Sequence, residues 1–457
     1  MRRGWGLLRR AKCEKSHPHP MRILRRLLLL FLAGGLAAEA AEPWTLPRAL
    51  DYALTHNPDA RIAQQRIAGA QAVLEQASAA YWPHVQLQSG YTRTDNPMQV
   101  FGNILNQRAY SSSLNFNDVP AVDDVNVRGV VTVPLYTGGR TVAARQAAAA
   151  NRAAARQDIA AVRNLLGFEV AAAFHTVQKT RQFIQAAEAA VLSLTTNVVV
   201  AQHRLDAGNL LKSDVLDLEV HLAQAREDLV RAQNSAALAE LALHNLLGLE
   251  EGDFTVSDAV PAVRAPAAGM VSQRPEFAAA RERAQAAEAQ VRGAQSGHLP
   301  RVSAFASLDY DYGPITHGDG RSYGAGVLVQ WDLWDGWATR GKVREAEASL
   351  QTSREEERKL RLNLNFAVEQ ARRNLRAADE RLVVGAKTVE QATQSAELTR
   401  HRFEQGTALA TQLLDAESAL VAARVRRAQA EADQRIAVAA LRHALALPQI
   451  DGPAVTQ

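Results

Sequence analysis

The sequence predicts a mainly α-helical protein with a smaller part of paired β-strands, built as two structural repeats. Its 457 residues exceed the roughly 250–300 residues at which a single hydrophobic core stops growing. Hydrophobic residues make up 47% of the chain but aromatic residues only 5%, and this alanine-rich composition favours long, closely packed helices. The third observation is that one long stretch of the sequence recurs further along the chain.

The recurring stretch defines the predicted repeats. HRLDAGNLLKSDVLDLE at 203–219 aligns without a gap with HRFEQGTALATQLLDAE at 401–417. PLYTGGR at 134–140 aligns in the same way with DLWDGWA at 332–338. We therefore predict repeat 1 at 44–250, a connector at 251–268, repeat 2 at 269–447 and a C-terminal tail at 448–457.

The first 40 residues have the pattern of a secretory signal peptide. Arg22, Arg25 and Arg26 precede an apolar run at 27–32, and small residues then lead to Ala38-Glu39-Ala40, an A-x-A-type cleavage site. The apolar run is too short to span a bilayer as a helix of the mature protein. We predict a signal peptide at 1–40, with Met21 as an alternative true start.

Charge and cysteine content exclude several classes of protein. Residues 1–40 hold nine Lys and Arg residues against two Asp and Glu residues, so the rest of the chain carries a net charge of −3. No basic surface for nucleic acid is therefore expected. Cys13 is the one cysteine and lies in the predicted leader, so the mature chain is expected to form neither a disulfide nor a thiolate metal site.

Alternating residues predict a strand hairpin in each repeat, at 84–135 and 301–333. Apolar residues occupy every second position, so each strand has one apolar and one polar face. Strands of this length can cross a bilayer when they are tilted. We expect the apolar face to contact lipid through Val85, Leu87, Val127, Val131, Val327 and Val329. The longer segment between the strands of repeat 1, about 94–124, is then expected outside the cell.

Four strands cannot close a barrel that hides its edges, so a membrane barrel would require several copies of the chain. Eight strands from a dimer would fill their interior with side chains, and the polar faces therefore favour twelve strands from a trimer. The alternative is a periplasmic coiled-coil structural or adaptor-like protein whose strand hairpins are soluble and pack on helices.

Each strand hairpin is followed by a helical pattern of unusual length. A proline-initiated helix precedes each hairpin, and the long helices are expected at 140–207 and 338–405, each about 100 Å long at 1.5 Å per residue. Helices of this length need coiled-coil partners, which antiparallel return helices at 212–247 and 408–446 would supply. Gly208 and Gly406 lie where the pattern breaks and are predicted to end the helices.

The doubled hairpins and doubled tips resemble those of the TolC-like outer-membrane efflux protein family, over nearly all of the mature chain. The tip motif is R-[aromatic or Leu]-x-x-G followed by L-D-x-E. Its matching residues are Arg204, Leu205, Gly208, Leu216, Asp217 and Glu219 in repeat 1, and Arg402, Phe403, Gly406, Leu414, Asp415 and Glu417 in repeat 2.

This resemblance implies the outer membrane factor of a tripartite efflux or type I secretion system. It implies a homotrimer whose 12-strand barrel in outer-membrane lipid continues into a 12-helix periplasmic tunnel. It also implies a closed tip that opens when a periplasmic adaptor (membrane fusion) protein and an inner-membrane transporter dock. The localisation it implies is the outer membrane, with a long periplasmic helical extension.

The resemblance also implies roles for single residues. Asp214 and Asp415 match positions that line or latch the periplasmic constriction, Phe403 matches an aromatic latch position, and Gln412 stands where the family can have a second aspartate. The adaptor-facing tips would contain Arg204, Leu205, Gly208, Arg402, Phe403 and Gly406.

No catalytic motif accompanies these features, so we expect no enzymatic activity and no cofactor. The chain has no phosphate-binding glycine loop, no zinc-type Cys/His cluster and no nucleophile elbow. His203 and His401 recur near the two tips, but a solvated helix histidine explains them better than a metal ligand does.

Overall fold

A computed structural model describes residues 43–115, 117–250, 255–259, 264–266 and 273–451. The predicted signal peptide lies outside these residues, as do most of the predicted connector and residues 452–457 of the predicted tail. The helices are α1 Leu46–His56, α2 Pro58–Ala79, α3 Pro97–Asn106, α4 Arg140–Asp206, α5 Lys212–Leu247, α6 Pro275–Gln295, α7 Ala338–Glu404 and α8 Ala410–Ala444. The strands are β1 His84–Thr94, β2 Val122–Tyr136, β3 Arg301–Tyr312 and β4 Asp319–Gln330.

Two short helices, α1 and α3, were not predicted from the sequence. Helix α1 begins at an N-cap, Thr45, whose hydroxyl oxygen accepts a hydrogen bond from the backbone N–H of Arg48 at 3.4 Å. Helix α3 interrupts the segment at 94–124 that was expected to be a loop. Its N-cap, Asn96, accepts bonds from the backbone N–H groups of Met98 and Gln99. Polar caps therefore start both helices.

The last strand ends earlier than predicted. Strand β4 stops at Gln330, so Trp331 and Leu333 lie beyond it. The chain leaves the sheet here, and Trp331 Nε1 donates to the backbone carbonyl of His298 at 3.1 Å. It then turns through Gly336 and Trp337, both with left-handed φ values, of 64° and 69°, before α7 begins.

The four strands form one antiparallel sheet in the order β1-β2-β3-β4. The pairing of β2 with β3 joins the two halves of the chain into one sheet. Val85 pairs with Val131, and Val131 pairs with Ala306. Because directly paired residues share a face, the register groups the alternating apolar residues of all four strands on one side.

The long helices pack as neighbouring rods. Helix α4 packs along α5 and against α2, α6 and α8, and α7 packs along α8 and against α6. Alanines fill much of the buried side of α4, which lets the helices approach closely. A compact core midway along α4 gathers Leu166, Val170, Phe174, Leu46 of α1 and Leu243 of α5.

Candidate tips of the helical hairpins and faces of the sheet

Both helical hairpins turn through the glycine that the sequence singled out. Gly208 and Gly406 have φ values of 75° and 82°, in the left-handed region that glycine tolerates best. Asn209 N–H donates to the Arg204 carbonyl, and Thr407 N–H donates to the Arg402 carbonyl, both at 2.8 Å. These bonds are those of Schellman motifs, so the prediction that the two glycines end the long helices is confirmed.

Arg204 joins the tip of the first hairpin to the second. Its Nη1 donates to the backbone carbonyl of Phe403 at 2.7 Å, and its Nη2 donates to the carbonyl of Asn209 at 3.3 Å. The guanidinium carbon also lies 4.9 Å from the centre of the Phe403 ring, within range of a cation–π interaction. Arg204 therefore links the tips of the two helical hairpins within one chain.

Phe403 lies in the core between the hairpins. It is 1% exposed and packs with Val215, Leu218, Leu413 and other apolar residues of the tip. Phe403 therefore does not face solvent in this chain, and its assignment to the periplasmic constriction as an aromatic latch remains a prediction.

A second link between the hairpins was missed by sequence reasoning. Arg400 Nη2 and Nε approach Glu417 Oε1 at 2.5 and 3.1 Å, and Nη2 also donates to Ser193 Oγ at 3.2 Å. Glu417 is 5% exposed. The ion pair holds Arg400 inside the second hairpin, and the hydrogen bond from Arg400 to Ser193 then joins this hairpin to α4 of the first. Glu417 belongs to the L-D-x-E motif, which could have marked it as important. The motif does not reveal that its partner is Arg400, 17 residues earlier in the chain.

The other predicted constriction residues lie at the surface of the chain. Asp415 is exposed, and no hydrogen bond or ion pair to its carboxylate is found among the described residues. Gln412 is exposed, and its Oε1 accepts from the backbone N–H of Leu409 at 3.3 Å, which caps the start of α8. Asp214, in the first turn of α5, is half-buried. In the described part of the chain, no hydrogen bond or ion pair joins any two of these three side chains.

The predicted adaptor-facing residues are unequally exposed. Arg402, Gly208 and Gly406 lie at the surface, and Arg204 and Leu205 are half-buried. Arg402 holds the same place in the second tip as Arg204 does in the first, yet its side chain points to solvent. The structure thus gives two aligned arginines different surroundings.

The sheet has one apolar and one polar face. The pairing register places all six predicted lipid-facing residues on the apolar side. Val85 and Leu87 are 71% and 77% exposed, and Val327 and Val329 are 62% and 63% exposed. On the opposite face Asn126 Nδ2 donates to Asp311 Oδ1 at 2.8 Å, and Arg128 pairs with Asp309 at 3.4 Å.

Two histidines are buried near the core of the long helices. Burial lowers the pKa of His175, whose Nδ1 lies 3.1 Å from Gln178 Oε1, and the nearby Arg435 lowers it further. Burial also lowers the pKa of His443, which stacks on Phe168 with a ring-centre separation of 5.3 Å. The ring of Phe168 thus serves packing.

Metal-binding geometry is not found in the part of the chain that the structure describes. No group of three or more His, Cys, Asp or Glu side chains there could hold a metal ion. His401 Nδ1 instead lies 3.3 Å from Glu404 Oε2 on the same helix. The tip histidines therefore have the surroundings of surface helix residues.

Comparison with known proteins finds similar sequences and similar folds. The chain is 28% identical over 426 residues to protein CyaE of Bordetella pertussis, covering 88% of this chain and 84% of that one. It is 30% identical over 179 residues to outer membrane protein TolC of Vibrio cholerae, covering 39% and 38% of the two chains. Its fold matches the outer membrane protein VceC of Vibrio cholerae with a TM-score of 0.74 at 22% identity, over 88% of this chain and 96% of that one.

The sequence model of the family described as "Outer membrane efflux protein" matches residues 49–249 and 270–447. The two matched segments include both helical hairpins and all four strands. The chain therefore belongs to the outer membrane efflux proteins, TolC-like channel proteins of the outer membrane.

Proposed function

We propose that the chain is the passive exit duct of a tripartite efflux or type I secretion system. Three copies would form a 12-strand barrel that continues into a tunnel of the long helices. The duct performs no chemistry, and the inner-membrane transporter supplies the energy. The observation that carries this proposal is an exposed apolar sheet face, backed by a polar face, on a sheet continuous with two 67-residue helices.

The edges of the sheet support a trimer. Strands β1 and β4 lie at the two edges of the four-stranded order, so each has one side unpaired within a chain. Each unpaired backbone N–H or C=O group in a bilayer core costs about several kcal/mol, so a sheet with open edges is not stable in lipid. Pairing β4 of one copy with β1 of the next closes the barrel. The polar faces then line a lumen that twelve strands can leave open.

The order of elements supports an internal duplication. Each half contains a proline-initiated helix, two paired strands, a 67-residue helix and a return helix of 35 or 36 residues. Each chain would therefore contribute two equivalent hairpins to the tunnel. The loops joining β1 to β2 and β3 to β4 would lie outside the cell, and the helical tips at the far end of the periplasm.

The exposed tips are the proposed docking surface for a periplasmic adaptor. Arg402, Gly208 and Gly406 lie at the surface of the tips, whereas the links through Arg204 and Arg400 hold the two hairpins together. Docking of the adaptor would favour an open conformation, in which these links are broken and the hairpins move apart, over the closed conformation. Opening would then widen the constriction to which Asp415 and Asp214 are assigned.

The test is purification from the outer membrane in detergent, followed by mass determination and recording in planar bilayers. We expect a heat-resistant trimer that conducts ions, and loss of export when the gene is deleted. A monomer that is soluble without detergent and conducts nothing would favour the alternative of a periplasmic coiled-coil adaptor-like protein.

A further inference from the structure

The segment between β1 and β2 folds back across the sheet as helix α3. The helix contacts β2 and β4, and β3 lies between these two strands. It must therefore cross the sheet near the ends of the strands that are remote from the long helices. Its buried side packs Val100 and Ile104 against Val122 at the start of β2.

Helix α3 lies on the polar face. A Cβ at Gly320 would collide with the backbone carbonyl oxygen of Asn106, the last residue of α3. Gly320 pairs with Asp311, whose carboxylate accepts a hydrogen bond from Asn126 on the polar side. The glycine thus leaves room for the end of α3 on the side that faces away from lipid.

A buried glutamine fixes this position. Gln107 is 0% exposed, and its Nε2 donates to the backbone carbonyl of Asp123 at 2.8 Å and to Asp124 Oδ1 at 2.9 Å. Thr316, in the turn between β3 and β4, donates through its hydroxyl to Gln107 Oε1 at 2.6 Å. Both turns at this end of the sheet are therefore joined through one side chain.

The outward side of α3 is apolar. Met98, Phe101 and Leu105 are spaced three and four residues apart, which places them on one side of a helix, and they are 78%, 38% and 45% exposed. Lipid covers the opposite face of the sheet and cannot reach them. In a closed barrel these side chains would border the lumen.

We propose that three copies of α3 narrow the outer mouth of the channel with an apolar ring, formed by Met98, Phe101 and Leu105 of each copy. The ring rests on the trimeric barrel of the proposed function and is a second constriction, remote from the helical tips. The helices of the other two copies cover its exposed side chains. Apolar constrictions resist hydrated ions because water leaves them, so the ring favours solutes with apolar surface.

The test uses cysteine labelling in recorded channels. The sequence has Cys13 alone, in the predicted leader, so Met98→Cys introduces a single thiol into the mature protein. A bulky, positively charged thiosulfonate is added on the external side. Because the ring has threefold symmetry, we expect the single-channel current to fall in up to three steps. Leu87→Cys, on the apolar face, is the matched control: the charged reagent should not reach it in lipid, and the current should stay unchanged.

Recordings are made both in the parent and in an Arg204→Ala background. The substitution is expected to loosen the periplasmic tips, so that closed tips do not limit the current and hide an effect at the outer mouth. A current that stays constant in both backgrounds, with labelling of Met98→Cys proved by mass, would overturn the apolar ring and leave the channel intact. Absence of conductance in both unlabelled backgrounds would instead refute the proposed function, and with it the ring. The paired variant Met98→Ser, Leu105→Ser should raise the current without labelling.

Discussion

The guanidinium of Arg204 donates a 2.7 Å hydrogen bond to the backbone carbonyl of Phe403, across the two helical hairpins. The same group lies over the Phe403 ring, which is buried in the tip core. The contact joins residues at the ends of two different long helices. It holds the tips of one chain together without any contribution from another copy.

Replacing Arg204 with alanine should loosen the tips. A hydrogen bond from a charged group contributes about 1.5–3 kcal/mol. The Phe403 carbonyl would keep its bond from the Gly406 N–H, at 3.0 Å, but would lose the link to the first hairpin. We expect a higher resting conductance in planar bilayers while the trimer still forms. Arg402→Ala is the control because Arg402 aligns with Arg204 but is exposed. Equal resting conductance in the two variants would show that the link does not hold the tips closed.

Breaking the Arg400–Glu417 pair from one side should destabilise the protein more than replacing both partners. Removing one member of a buried pair costs about 3–5 kcal/mol, because a buried charge is left without compensation. Arg400 is partly exposed, with 32% of its side chain accessible, so the cost should lie near the lower limit. The check is the melting temperature of the detergent-solubilised protein for Arg400→Leu, Glu417→Leu and the double variant. A double variant no more stable than Arg400→Leu would contradict the argument.

Replacing Asp415 with alanine should weaken cation block at the periplasmic end. A symmetric trimer places three copies of this exposed carboxylate around one axis, and such a ring attracts cations. We expect less block by a trivalent cation added on the periplasmic side, measured in single channels. Asp217→Ala, the aligned change in the first hairpin, removes the same charge and serves as control. Unchanged block in Asp415→Ala would place this residue away from the axis.

An arginine at Val327 should impair assembly. Val327 is 62% exposed on the apolar face, and an arginine there would enter hydrocarbon at a cost of about 2–4 kcal/mol near the midplane. The yield of heat-resistant trimer in the membrane should fall sharply. Ser322→Arg, on the polar face of the same strand, should assemble normally. The reverse result would mean that the two faces have been assigned the wrong way round.

Stability should fall as the pH drops below the ordinary histidine pKa of 6.5. Burial lowers the pKa values of His175 and His443 in the folded protein, so the unfolded chain takes up protons first as the pH falls. The stabilisation is therefore complete above pH 6.5 and is lost progressively towards the lowered native values. Melting temperatures from pH 8 to pH 5 check this. The His175→Gln variant should show a flatter profile, and an unaltered slope would assign the effect to other groups.

Local sequence patterns were enough to predict the long helices, their return helices and the glycines that end them. A period of two residues predicted the strands and identified which side of each is apolar, because neighbouring side chains in a strand point to opposite faces. Helix α3 was missed because it is only 10 residues long, lies in a segment that the second half of the chain lacks, and contains Gly102, which weakens a helical pattern.

The sequence by itself therefore determined the long helices, the strands and their apolar sides, since each depends on residues within a few positions of one another. Tertiary structure alone decided which elements meet. Arg204 reaches Phe403, Arg400 reaches Ser193, and Gln107 reaches Thr316, and each pair is about 200 residues apart in the chain. Such contacts depend on how whole hairpins and turns pack, which also buries Phe403 and leaves Asp415 in solvent.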